Sequence, residues 1–277
     1  MQIPEAVVEE GRGAKCGKCC EDQMVLADLT SNDTHKNDFT GVYAKKGTAS
    51  DVIAFTMERC DETVVSNEGL VGVFPNDSLA VGYIYNWKSI LSTHGVGKYN
   101  IRITFTIAGI TNDFIVGAYE LKKFTRENVK DSVRIYSEFN SYYQKEDIDF
   151  TGSNFKDTVR FNGFFGNRDP ETEINNLIDK GRKVVKVTRE NLNKYTLRTD
   201  PVNIGMTRQL LDKHFINEDI IKFSDYNRFN HDFNIFDQEC VLIDTPKVEY
   251  LDLDRRAEIT AVFGDRKLQD KSYYRGN

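Results

Sequence analysis

Residues 99–107 read YNIRITFTI. Apolar Tyr99, Ile101, Ile103, Phe105 and Ile107 alternate strictly with Asn100, Arg102, Thr104 and Thr106. A period of two sends the first set to one face of a pleated strand and the second set to the other. A helix, at 3.6 residues per turn, would scatter the same apolar side chains around its whole circumference. The stretch predicts a half-buried β-strand, and the chain on either side follows from it.

Downstream, FIVGAYEL (114–121) is a second strand reached through AGITND, a plausible hairpin connection, and SVRIYSEF (132–139) is a third alternating segment. Upstream, VIAF (52–55), LVGVF (70–74) and LAVGYIY (79–85) are short apolar runs, punctuated by residues 67–69 and by PNDS at 75–78. Between Tyr85 and Tyr99 lies NWKSILSTHGVGK, where Trp87, Ile90 and Leu91 have the spacing of one helical turn. That turn would cap the end of the strands, and Gly95 and Gly97 then let the chain turn sharply. Short strands recurring at this rate predict a mainly β fold: an antiparallel β-sandwich, Ig-like or jelly-roll-like.

The polar stretch NSYYQKEDIDFTGSN (140–154) is the candidate boundary between two domains, and 277 residues are more than one typical core requires. The expected organisation is an extended arm at 1–23, a sandwich at 24–145 and a second β-rich domain at 146–277 with one or two short helices. The first of those helices is predicted at DPETEINNLIDKG (169–181). Asp169 suits an N-cap, Pro170 the first helical position and Gly181 the stop, while Ile174, Leu177 and Ile178 form a stripe. Strands follow at 183–188 and 194–199. A second helix is expected at 206–214 with Leu210 and Leu211 inward, then strands in CVLID, VEYLDL and AEITAVF.

Hydrophobic residues make up 39% of the chain and charged residues 29%, a globular balance. Residues 1–150 hold 16 Lys and Arg against 22 Asp and Glu, whereas residues 151–277 hold 21 of each. A protein that clamps duplex nucleic acid needs a basic surface to displace counterions, and neither half offers an excess of positive charge. Acidic walls instead repel phosphate and keep it from sticking. No stretch approaches the ~20 apolar residues of a membrane helix. The first residues lack the pattern of a secretory signal, and an odd cysteine count suits a reducing compartment.

Motifs that carry chemistry are sparse. GVGKYN (95–100) lacks the glycine spacing and the Ser or Thr of a phosphate-binding loop and reads as a turn into a strand. His35, His94, His214 and His231 are dispersed, and His231 beside Asp232 reads as a surface histidine. The pairs Asp147/Asp149 and Asp252/Asp254 could hold a hard cation, but they read first as solvated carboxylates. KCGKCC (15–20) has a zinc half-site spacing in Cys16 and Cys19. Cys20 is a possible third ligand, with Cys60 or Cys240 completing the set from afar. A second half-site is missing, so reduced thiols on an arm are the reading taken. No catalytic, cofactor-binding or metal site is expected, and no enzymatic activity.

One region supports a closer comparison. Residues 83–135, YIYNWKSILSTHGVGKYNIRITFTIAGITNDFIVGAYELKKFTRENVKDSVRI, combine a Trp-bearing turn, a G-V-G-K-Y strand start, a hairpin and a closing V-R-I strand. This resembles the N-terminal β-sandwich of tail and neck ring (connector) proteins of crAss-like podoviruses, bacteriophages of Bacteroidota. The resemblance covers about a fifth of the chain and implies a virion structural protein. It also implies a homo-oligomeric ring, twelvefold if a portal imposes its symmetry, that contacts adjacent portal, ring or tail-hub proteins. Such a ring would be assembled in the host cytoplasm and would pass DNA and ejected proteins through its lumen, without a membrane. Asp61, Glu62, Glu68 and Asp77 are the candidate lumen residues. The competing expectations are a β-sandwich binding module for carbohydrate or a host surface, as in tail fibres, and a zinc hydrolase built on Cys16, Cys19 and Cys20.

Overall fold

A computed structural model describes residues 23–59, 64–65, 70–72, 74–144, 146–178, 184–216, 219–227, 235–251 and 255–266, with the backbone alone described at 64, 70–72, 167–178 and 184–192. The first half contains β1 (Gln23–Ala27), β2 (Phe39–Lys45), β3 (Val52–Arg59), β4 (Val64–Val65), β5 (Leu70–Gly72), β6 (Ala80–Asn86), α1 (Trp87–His94), β7 (Gly97–Ile107) and β8 (Ile110–Lys123). The deciding stretch is β7. Tyr99 and Ile101 are fully buried and Ile103 and Phe105 nearly so, while Arg102, Thr104 and Thr106 reach the surface.

These strands form the expected sandwich. A five-stranded sheet in the order β1-β8-β7-β3-β4 faces a three-stranded sheet in the order β2-β6-β5. It departs from a purely antiparallel arrangement at one edge, where β1 runs parallel to β8. The long excursion through β2 to β7 supplies the crossover that parallel pairing requires. The connection from β7 to β8 is also tighter than AGITND. Ile107 pairs with Ile110, and Ala108 and Gly109 alone make the turn, both with positive φ. Helix α1 closes the end of the sandwich. The Asn86 side chain caps it by accepting from Lys88 N, and Trp87, Ile90 and Leu91 are its buried residues. Trp87 is fully buried against the rings of Tyr99 and Tyr119 and donates from Nε1 to Thr40 Oγ1 at 2.8 Å.

After a helical turn, α2 (Arg126–Val129), come β9 (Ser132–Phe139), the hairpin β10 (Tyr142–Tyr143) and β11 (Ile148–Asp149), then β12 (Phe155–Ile178) and β13 (Val184–Thr199). The helix expected at 169–181 does not form, because its residues 169–178 continue β12 and pair antiparallel with β13. Local cap and stripe signals are outweighed there by a partner strand, which the strands expected at 183–188 and 194–199 supply as one. The described residues continue through β14 (Val202–Asn203), α3 (Ile204–Gln209), a π-helical turn (Leu210–Phe215), β15 (Ile220–Asp225), β16 (Gln238–Leu242), β17 (Lys247–Tyr250) and β18 (Arg256–Asp265). The helix expected at 206–214 is thus present as α3 and the π turn, with Leu210 fully buried.

Strands β12, β9, β15, β16, β18 and β13 pair in that order, and β13 pairs back to β12, so the sheet closes into a six-stranded barrel. Its interior holds Val133, Ile135, Val159, Phe165, Phe223 and Phe263, with Leu210 and Phe215 of the π turn packed into the same core. SVRIYSEF (β9), which lies on the sandwich side of the expected 145/146 boundary, is a wall strand of this barrel between β12 and β15.

Candidate functional site: a buried polar seam

The face of β9 and β12 turned away from the barrel core also lies buried, and it is polar. Arg134 and Arg160 are directly opposite each other on the two strands, an arrangement of like charges that costs stability unless something neutralises it. Asp38, just before β2, lies between them, and Asp237 adds a second carboxylate 3.4 Å from Arg134 Nη1. Asp38 Oδ1 accepts from Arg134 Nε at 2.7 Å and its Oδ2 from Arg160 Nε at 3.2 Å. Asp38 Oδ2 also accepts from Leu26 N of β1 at 2.8 Å, and Arg134 donates to the carbonyls of Thr34 and Asn37. The side chains of Asp38, Arg134 and Arg160 are almost wholly excluded from solvent. Burial opposes ionisation of Asp38, but the two guanidiniums outweigh it and hold its carboxyl below the usual range.

A second node lies along the same seam. Asp157 of β12 accepts from Lys213 Nζ at 2.5 Å and from Gly41 N of β2 at 3.0 Å. His214 of the π turn is fully buried. Its Nδ1 is 2.8 Å from Ser137 Oγ, and its Nε2 is 3.4 Å from Asp157 Oδ2 without hydrogen-bond geometry. The Lys213 ammonium lies near the rings of Tyr43, Phe139 and Phe155. Burial disfavours the Asp157 carboxylate, yet Lys213 and His214 keep it ionised well below the ordinary range. Burial also pulls the His214 imidazole below its ordinary value, against the opposing pull of Asp157.

Ser137, His214 and Asp157 share the composition of a nucleophilic triad. All three side chains are sealed, however, at 0–1% exposure, so no substrate can reach the hydroxyl in this structure. What the arrangement does here is join two units. β2 is an edge strand, and the barrel supplies side chains where another strand would supply backbone. Phe39 N donates to Thr158 Oγ1, which donates to Phe39 O. Gly41 N donates to Asp157, and Gly41 O accepts from Lys213. Backbone groups that would otherwise be left unsatisfied on burial are thereby paired.

An aromatic cluster of Phe74, Phe139, Phe150 and Phe155 fills the space beside this edge. Glycine allows the approach at two places. A Cβ at Gly41 would fall 2.5 Å from Lys156 O and 2.6 Å from the Phe155 ring, and one at Gly82 would fall 2.5 Å from the Phe74 ring.

Of the residues singled out by sequence, Cys16, Cys19, Cys20, Cys60, Asp61, Glu62, Glu68, His231, Asp232, Asp252 and Asp254 lie outside the described residues. Asp77 is tied into a turn, with Lys45 Nζ at 3.1 Å and only 13% of its side chain exposed, so it is not an open wall carboxylate. Asp147 is exposed and bound by Lys45 and Tyr142, while Asp149 accepts from Thr151 N. Cys240 is buried in the barrel core. His35 stacks on Phe236, with ring centroids 4.6 Å apart. Among the described residues no three His, Cys, Asp or Glu side chains gather as a cation site. No described helix is long and apolar enough to cross a membrane.

Sequence reasoning passed over Asp38, Arg134, Asp157 and Arg160. For Arg134 and Arg160 the available signal was their place among Ser132, Thr158 and Asn162, opposite the apolar face of Val133, Ile135, Val159 and Phe161. Asp157, between Phe155 and Val159 on that apolar face, and Asp38, outside any strand, carried no periodic signal. Neither a protein-family model nor a curated protein matches this chain.

Proposed function

We propose that the chain is a structural protein of a bacteriophage virion, one subunit of a homo-oligomeric ring in the neck or tail that lines part of the channel for DNA and protein ejection. The observation that carries this reading is the seam. Two β units joined through buried ion pairs, a capped edge strand and an aromatic cluster make one stiff body, as a wedge repeated around a ring requires. The likeness of residues 83–135 to crAss-like neck proteins gives the class of assembly, and a portal would set a twelvefold count. Rings arise where a head-to-tail interface closes by rotation. The acid excess of residues 1–150 suits a wall past which phosphate slides. Trp87 is buried in the sandwich, which leaves a sugar-binding reading without its usual aromatic platform.

Antibody raised against the purified protein, applied with gold to phage particles of this type, tests the reading. Label confined to the head–tail junction or tail is expected. Label on fibres, or none on particles, would overturn it.

A further inference from the structure

Strand β12 leaves the barrel after Gly166. Its residues Asp169–Ile178 pair only with β13, and Val184–Asn193 of β13 pair only with β12, among the described residues. The result is a two-stranded ribbon that extends about 34 Å beyond the barrel at ~3.4 Å per residue. An isolated ribbon is marginal in water. Both its edges present rows of backbone donors and acceptors, a template for another strand.

The two edges differ in charge. Residues 169–178 carry Asp169, Glu171 and Glu173 and no Lys or Arg, while residues 184–193 carry Lys186 and Arg189 against the single acid Glu190. An acidic edge and a basic edge on one ribbon are complementary between copies, not within a symmetric dimer. The directions fit as well. Where ribbons of successive copies project the same way around an axis, β13 of one lies antiparallel to β12 of the next.

We propose that the β12–β13 ribbons of neighbouring copies pair edge to edge, the basic strand of one copy against the acidic strand of the next, in one continuous antiparallel sheet. This rests on the ring reading above and names the contact that closes the ring. It also accounts for a strand of 24 residues where the barrel itself pairs only the first part.

Two full-length variants test it. One carries Asp169→Lys, Glu171→Lys and Glu173→Lys. The other carries Lys186→Glu and Arg189→Glu. Each alone is expected to raise the concentration at which mass photometry shows half-assembly at least tenfold. An equimolar mixture is expected to assemble within threefold of the unaltered chain, because reversed β12 then meets reversed β13 on alternate copies. Like charges within each variant's own ribbon persist in the mixture, so rescue can come only from pairing between copies. Assembly of either variant at the unaltered concentration, or a mixture that stays dispersed while both variants keep the unaltered circular dichroism, would overturn the pairing and leave the ring reading standing. Variants that lose that dichroism and fail to recover on mixing would also count against it, since the ribbon would then serve its own barrel. An unaltered chain that is monomeric at every concentration would remove the ring reading as well.

Discussion

Asp38 sits between two guanidiniums that face each other across a strand pair, and with Asp237 beside Arg134 the two carboxylates balance the two cations. Removing the Asp38 carboxylate leaves Arg160 buried without a carboxylate partner among the described residues, and leaves Arg134 with Asp237 alone at 3.4 Å. Asp38→Asn is expected to cost about 3–5 kcal/mol, the range for breaking a buried pair from one side, read as the shift in urea midpoint at constant slope. A loss below about 1 kcal/mol would show that the seam is not held this way. Gly41→Val places a side chain into Lys156 O and the Phe155 ring, and overpacking of this kind typically costs about 1–3 kcal/mol. The barrel-interior variant Val159→Ala serves as the reference for a core change elsewhere. The pairing across the seam was not legible from sequence, because Asp38 meets partners 96 and 122 residues away and the alternation around Arg134 and Arg160 does not say that their face is buried.

At the scale of elements, legibility tracked how local the cause was. YNIRITFTI became β7 because its alternation is satisfied on each face by the strands beside it. NWKSILSTH became α1 because its cap, apolar spacing and stop all lie within ten residues. There Asn86→Ala is expected to cost about 1 kcal/mol through loss of the bond from Lys88 N, measured by thermal melting. DPETEINNLIDKG misled for the converse reason. Its cap and stripe favour a helix, but a strand already running from Phe155 and a partner at 184–194 offer a backbone ladder ten residues long. Isolated helices of that length are marginal, so the ladder prevails.

For the whole molecule, a seam that satisfies the sandwich edge with barrel side chains predicts one unfolding transition. Trp87 is the sole tryptophan and lies in the sandwich core, so its fluorescence reports that unit, while far-ultraviolet circular dichroism is dominated by all the strands. The two signals are expected to fall together, and separated transitions would show the halves to be independent. The pH dependence follows from the same groups. The folded His214 titrates below 6.5, so the unfolded chain takes up a proton first and stability declines as pH falls below about 6.5. Asp38 and Asp157 are held below 3.8, so their contribution is complete above that value and is lost as pH falls through their folded values. Burial holds the His35 imidazole below its ordinary value as well, so melting temperature against pH should drop in two stages, the upper one reduced in His214→Gln and removed when His35→Gln is added. The mainly β architecture and the sandwich were legible in the alternation of single strands. The closed barrel was not, because closure is a property of β12, β13 and β18 together.

Native mass spectrometry of the full-length chain tests the account's central claim most directly. A closed oligomer of one subunit number, unchanged across a hundredfold range of concentration above its threshold, is the predicted result. A monomer throughout, or an open ladder of sizes that grows with concentration, would contradict it.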